Sequence, residues 1–181
     1  MFVKLPLLIR YPVIMLMIAL NTAIKVSLLL GLSLLKWLLP LARLKRILDV
    51  GIIGLAESWI AFNSWMMRHL TSLHTEYRES VELHADGNYL VLSNHQSWVD
   101  ILVLQAVFNR RIPFMRFFLK QQLIWVPLLG MAWWALDFPF MKRHTKSQIQ
   151  KNPALAGQDI AATRKACEKF IGKPVSIMIF P

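Results

Sequence analysis

Between Tyr11 and Leu39 the sequence is almost unbroken Leu, Ile, Val, Met and Ala, interrupted by Asn21, Thr22, Lys25, Ser27, Ser33 and Lys36. Few folds accommodate such a run. A helix of roughly 20 apolar residues reaches across a bilayer, whereas the core of a soluble domain rarely opens with so continuous a stretch. Lys25, near the middle, would cost about 2.5 to 3.5 kcal/mol at the centre of a span unless it snorkels or faces another helix. A shallow or re-entrant path therefore competes with a full crossing. The run is too long for a cleavable signal peptide and lacks a small-residue cleavage site, so it is expected to stay in the mature protein. Ile47 to Leu70 reads as a second helix, with Trp59 and Trp65 suited to the headgroup level. The rival reading is a pair of core helices in a soluble protein.

Charge distribution narrows the partners. The 21 Lys and Arg against 10 Asp and Glu give a formal net charge of +11. Residues 1–50 carry seven basic groups and one acid, residues 51–100 two and six, and residues 101–181 twelve and three. Basic ends interleaved with apolar runs suit a membrane surface, and with no binding motif present they argue against nucleic acid. A hydrophobic fraction of 56% excludes a disordered chain, and the single cysteine, Cys167, excludes an internal disulfide. Cys167 reads as a small packing residue, and His84, His95, His144 and Cys167 lack metal-ligand spacing. Lys4 and Arg10 precede the first apolar run while Arg43, Lys45 and Arg46 follow it, so the positive-inside rule gives only a slight orientation preference.

Past Leu70 the pattern changes to short alternating pieces. Val81–His84 and Tyr89–Ser93 flank Asp86-Gly87 and predict a β-hairpin. Trp98–Phe108 predicts a helix, Pro113–Leu119 a strand, Gln121–Trp134 a helix bent near Pro127, and Phe138–Lys142 a short strand. Gln158–Phe170 predicts a helix with Lys165, Lys169 and Lys173 about its C-terminal end, and Pro174–Phe180 a buried strand. Alternation of this kind predicts an α/β domain with a mixed sheet flanked by helices. The expected organisation is residues 1–72 as membrane-anchoring helices and residues 73–181 as the second domain. That domain is expected to be truncated on its C-terminal side, because Pro181 follows an apolar strand directly.

The chemistry concentrates in Leu92-Ser93-Asn94-His95-Gln96-Ser97-Trp98-Val99-Asp100, where a strand hands over to a helix. On a continuous helix His95 and Asp100 would stand about 140° apart and could not meet. A turn at Ser97 brings them together. A carboxylate on one imidazole nitrogen would fix the tautomer and let the other take a proton from a hydroxyl. The same residues also fit a capping box, with Ser97 as the cap and Asp100 at the third helical position. Spacing alone leaves both readings open.

Asn94-His95 followed by Ser97 and Asp100 resembles the NHxSxxD form of the HxxxxD signature of glycerolipid acyltransferases, the 1-acyl-glycerol-3-phosphate acyltransferase family. Lys120, Leu123, Pro127 and Gly130 resemble that family's next segment, and Phe140-Met141-Lys142-Arg143 its second block. Phe180-Pro181 resembles the opening of its FPEGTR block, cut before the Glu, Gly, Thr and Arg. The resemblance spans roughly residues 75 to 181, and the N-terminal helices match the family's membrane-anchoring part.

The resemblance implies a glycerol-3-phosphate acyltransferase-like fold, with His95 as general base and Asp100 as its orienting partner. Arg143 and Lys120 would bind the acceptor phosphate, and Asn94 and Ser97 would belong to the same substrate site. The implied donor is acyl-CoA or acyl carrier protein, with no separate cofactor, and the implied acceptor is a lysophospholipid. The setting would be the inner face of the cell membrane, with membrane lipids as partners. Without the rest of its third block the 181-residue chain is expected to be inactive. The competing class is a non-catalytic membrane protein that binds anionic lipid or a protein partner. The basic cluster of Arg110, Arg111 and Arg116 would then be one lipid-facing patch, whereas Trp125, Trp133 and Trp134 are expected either to line an acyl groove or to pack.

Overall fold

The computed structural model describes residues 6–71, 75–78, 80–141, 147, 150, 161, 164–165 and 167–180. Two long helices open the chain: α1 is Leu7–Leu38 and α2 is Ala42–Leu70, joined by a three-residue turn containing Pro40. Each is long and apolar enough to cross a membrane, and protein covers only a minor part of each apolar stretch. A helix of 32 residues is roughly 48 Å long at 1.5 Å per residue.

Asn21, Thr22, Lys25 and Lys36, four of the polar residues that break the apolar run, meet α2 or the rest of the protein. Asn21 Nδ2 donates to Asn63 Oδ1 at 3.0 Å and to the Trp59 carbonyl at 3.3 Å. The Trp59 indole N–H donates to Thr22 Oγ1 at 3.0 Å, and Lys36 pairs with Asp49. Ser33 donates back to the Leu29 carbonyl of its own helix at 2.8 Å, the usual way a hydroxyl is satisfied inside an apolar helix. Lys25 lines a crevice that α1 shares with α2, Trp98–Phe108 and Leu129–Ala135. The lysine that would be costly in lipid thus faces protein.

The remaining elements are β1 (Asn88–Leu92), α3 (Trp98–Phe108), β2 (Met115–Phe117), β3 (Leu119–Lys120), a 3-10 helix (Gln121–Trp125), α4 (Leu129–Ala135), β4 (Phe140–Met141) and β5 (Val175–Ile179). β5 lies between β1 and β2 and is parallel to both, with Leu90 opposite Ile177 and Met115 opposite Ser176. β3 and β4 form a second parallel pair. Every pairing among the described residues is parallel, so the carboxyl ends of β1, β5 and β2 emerge on one edge. The α/β class agrees with the sequence pattern, because crossovers between parallel strands need intervening helices.

The helices and the sheet share one core. Val26 and Leu29 of α1, Ile52, Ala56 and Ile60 of α2, and Phe114, Met115, Phe117, Ala132, Leu136, Phe138 and Met178 form a single buried cluster. Asn109 Nδ2 donates to the Glu57 carbonyl at 3.2 Å, fastening the end of α3 to α2.

Four expectations are corrected. Val81–His84 is not a strand: β1 pairs with β5, and the Gly87 amide donates to the His84 carbonyl at 3.2 Å. The Tyr89 hydroxyl accepts the His84 amide at 2.7 Å, taking a donor that a hairpin ladder would use. The Tyr89 ring lies so close over Gly87 that a Cβ there would come within 2.6 Å of it. Gly87 does not take the positive φ that a tight hairpin turn would use.

The predicted Gln121–Trp134 helix is two pieces. A γ-turn at Leu128 separates them, with φ 62°, ψ −53° and a 2.7 Å bond from the Leu129 amide to the Pro127 carbonyl. A Cβ on Gly130 would stand 2.0 Å from the Ile124 carbonyl oxygen, so only glycine lets α4 pack this tightly on the 3-10 helix. The predicted Pro113–Leu119 strand is likewise interrupted at Phe118, where the chain leaves the first sheet for the second.

The three arginines form no open patch. Arg110 Nε sits 3.3 Å from Glu57, and Arg111 lies over the Tyr77 ring. Arg116 donates to the Leu136 and Phe114 carbonyls and lies over the rings of Phe114 and Phe170. Burial lowers the Arg116 pKa. Arg143 and part of the predicted Gln158–Phe170 helix, residues 158–160, 162–163 and 166, lie outside the described residues.

Candidate active site

The segment joining β1 to α3 sits on the edge where the strands of the larger sheet end. Ser97 is in extended conformation and caps α3: its Oγ accepts the Val99 amide at 3.1 Å. Asp100 reaches back from the first turn, and its Oδ2 accepts the amides of Gln96 at 2.6 Å and Ser97 at 2.8 Å. The same oxygen lies 3.3 Å from His95 Nδ1. The capping box and the imidazole–carboxylate pair, alternatives on spacing alone, are made at once by one carboxylate oxygen.

This sharing has an electrostatic consequence. The backbone N–H groups of Ser97 and then Gln96 lower the Asp100 pKa, and His95 adds to the effect. Hydrogen bonds to the charged form favour it, as does the positive end of a helix. Asp100 is thereby held as an oriented anion before any substrate arrives. With Nδ1 turned to the carboxylate, Nε2 is the imidazole nitrogen left to accept a proton.

The face of the His95 ring is also fixed. Phe180, just past the end of β5, stacks on it with centroids 4.3 Å apart and planes at 27°. Phe117 at the end of β2 stacks on Phe180 in turn, and Phe138 stacks on Phe117. The base is thus backed by an aromatic column running into the core. Phe180 stood out in the sequence only as part of a motif, and its contact with His95 depends on β5 entering between β1 and β2.

Asn94 and Ser97 lie exposed in the same loop as His95. Lys120 is exposed at the end of β3, on the strand that follows β2 out of the carboxyl edge, and it begins the 3-10 helix. Of the three tryptophans, Trp133 lines an apolar crevice of about 470 Å³, counting its open mouth, together with Lys25, Trp59, Gln105 and Phe138. Trp125 and Trp134 are exposed.

A parallel sheet that carries an oriented imidazole at its carboxyl edge, joined to two helices long and apolar enough to cross a membrane, defines an α/β protein with a candidate acid–base site. The sequence pattern of the Acyltransferase family matches residues 74–181, more than half of the chain. The protein belongs to that family. Its fold is similar to that of the 1-acyl-sn-glycerophosphate (LPA) acyltransferase PlsC from Thermotoga maritima, with a TM-score of 0.55 at 17% identity. The similarity covers 92% of this chain and 59% of the Thermotoga chain, so the chain spans well under two thirds of that protein's length. No curated protein matches the sequence.

Proposed function

We propose that the protein is a membrane-bound acyltransferase of phospholipid biosynthesis. It would move a fatty acyl group from acyl-CoA or acyl carrier protein to the free hydroxyl of a lysophospholipid, 1-acyl-glycerol-3-phosphate. The observation that carries this reading is the 3.3 Å approach of His95 Nδ1 to a carboxylate already fixed by two backbone amides. Family membership and the PlsC-like fold support it.

In this mechanism His95 Nε2 takes the proton of the acceptor hydroxyl as its oxygen attacks the thioester carbonyl. Asp100 stabilises the imidazolium that forms. The tetrahedral intermediate collapses with cleavage of the carbon–sulfur bond, and the departing thiolate receives the proton back from His95. The products are an ester and a free thiol, and no nucleophile of the protein is consumed. Lys120 and Arg143 would hold the acceptor phosphate, since cations near strand ends suit phosphate oxygens. Asn94 and Ser97 would border the same site. The donors are substrates, so the reaction calls for no resident cofactor. We place the site on the cytoplasmic side of the inner membrane, where thioester donors are available.

The test is His95→Ala in membranes carrying the full-length protein, assayed for transfer from acyl-CoA to lysophosphatidate. Loss of general-base help should lower the rate by roughly 10² to 10⁴, with unchanged membrane content of the protein. Undiminished transfer would leave Asp100 with helix capping as its only job and would remove the proposal.

A further inference from the structure

Four large apolar side chains in the segment that follows β3 stand exposed among the described residues. Trp125, Leu128, Met131 and Trp134 recur at every third position, and all four are exposed, from 40% for Leu128 to 84% for Trp125. The opposite side of the same segment is buried, through Gly130, Ala132 and Leu136. The stripe crosses the γ-turn at Leu128, a positive-φ conformation unfavourable for a side chain larger than glycine. It is bounded by Lys120 before it and by the Asp137–Lys169 ion pair, 2.8 Å, after it.

We infer that this stripe is a second lipid contact, distinct from the two long helices, which sits in the headgroup region of an anionic bilayer. Three observations select lipid over other occupants. α4 packs directly on α1, so the stripe lies beside a helix that is itself exposed and apolar at Leu16, Leu20, Ile24 and Leu28. Its two ends are tryptophans, which concentrate at membrane–water interfaces. Exposed Lys120 stands at its start and is complementary to anionic headgroups. The segment also departs from the sheet edge that carries His95. Seating it in the interface therefore brings that edge to the lipid surface, independently of whether His95 is a base.

The single cysteine makes the inference directly testable. In a Cys167→Ser background, Met131→Cys carries an environment-sensitive fluorophore, with Glu82→Cys as the reference. Glu82 is exposed and precedes β1, at the amino end of the sheet. The protein is reconstituted in vesicles of phosphatidylethanolamine and phosphatidylglycerol, and nitroxide-bearing phosphatidylcholine and aqueous iodide serve as quenchers. The expected result is blue-shifted emission at 131, with lipid quenching several-fold greater and iodide quenching several-fold weaker than at 82. Equal iodide access at the two positions would overturn the inference. Shielding from iodide without lipid quenching would overturn it too, because a second copy of the chain would then cover the stripe. The same pair of readings at Trp134→Cys decides the matter should the 131 variant fold poorly.

Discussion

Two regions of this molecule use polar side chains to join elements, and they do it over very different spans of chain. In the loop between β1 and α3, Asp100 binds the amides of Gln96 and Ser97 and approaches His95, all within five positions. In the helical hairpin, Asn21 binds Asn63, Trp59 binds Thr22 and Lys36 binds Asp49, across 42, 37 and 13 positions. The loop is exposed to water and the hairpin seam is set in apolar surroundings. A local polar motif orients a group for chemistry, whereas a distant polar pair fixes which faces of two helices meet. The contrast shows why one carboxylate can both cap a helix and steer an imidazole, while each polar residue of the seam has a purely architectural partner.

The sharpest way to break this contrast is Asp100→Asn. An amide oxygen can still accept from Gln96 and Ser97, so the cap survives, but the charge beside His95 is lost. Transfer should fall by roughly 10²- to 10⁴-fold, as for loss of a correctly oriented base, with unchanged helix content by circular dichroism. Equal losses of folding and activity would mean that the cap is the only role of the residue.

The seam is tested by Asn63→Leu, which strips Asn21 of its side-chain partner. Unfolding in mild detergent should show a loss of about 1 kcal/mol, in the range measured for such pairs in membranes. The double variant Asn21→Leu with Asn63→Leu should recover part of it, because an apolar pair leaves no polar group unsatisfied. An additive loss would indicate that the two asparagines do not act on each other.

Ser97→Ala removes the local cap and leaves the carboxylate in place. It should cost about 1 kcal/mol of stability by denaturant titration and change the rate far less than Asp100→Asn does. A rate loss equal to that of Asp100→Asn would show that Ser97 itself touches substrate.

The smallest effect concerns acid. Because the Asp100 pKa is lowered on folding, its contribution to stability is complete above the ordinary aspartate value near 3.9. That contribution fades only as pH falls through the lower folded value. An acid titration followed by circular dichroism should therefore show the α3 signal outlasting the ordinary carboxylate range, and Asp100→Asn should lack this acid-dependent component.

What could be read ahead of the coordinates follows the same division. The two apolar helices were legible because length and composition suffice for them, and α3 because Ser97 and Asp100 signal its start. The His95–Asp100 encounter was legible as one of two alternatives, since only backbone at Ser97 stands between them. The hairpin at Asp86-Gly87 was misread, because β1 takes β5 as its partner and the His84 amide goes to the Tyr89 hydroxyl. The bend near Pro127 was legible, but that it is a full break with a γ-turn at Leu128 was not, since Gly130 must fit against the Ile124 carbonyl. Arg110, Arg111 and Arg116 read as a surface cluster, yet their partners come from α2, an aromatic ring and the end of α4.

By itself the sequence determined what depends on neighbours a few residues apart: the apolar helices, the capped start of α3, and an acid placed within possible reach of an imidazole. The tertiary structure alone decided that β5 inserts between strands more than 55 residues earlier in the chain and brings Phe180 onto His95. It alone turned Lys25 into a crevice rather than toward lipid and left Trp125, Leu128, Met131 and Trp134 uncovered. Hydrogen bonds within one turn are encoded in spacing. Which surface covers a side chain from afar depends on how whole elements exclude solvent together, and no short stretch of residues carries that information.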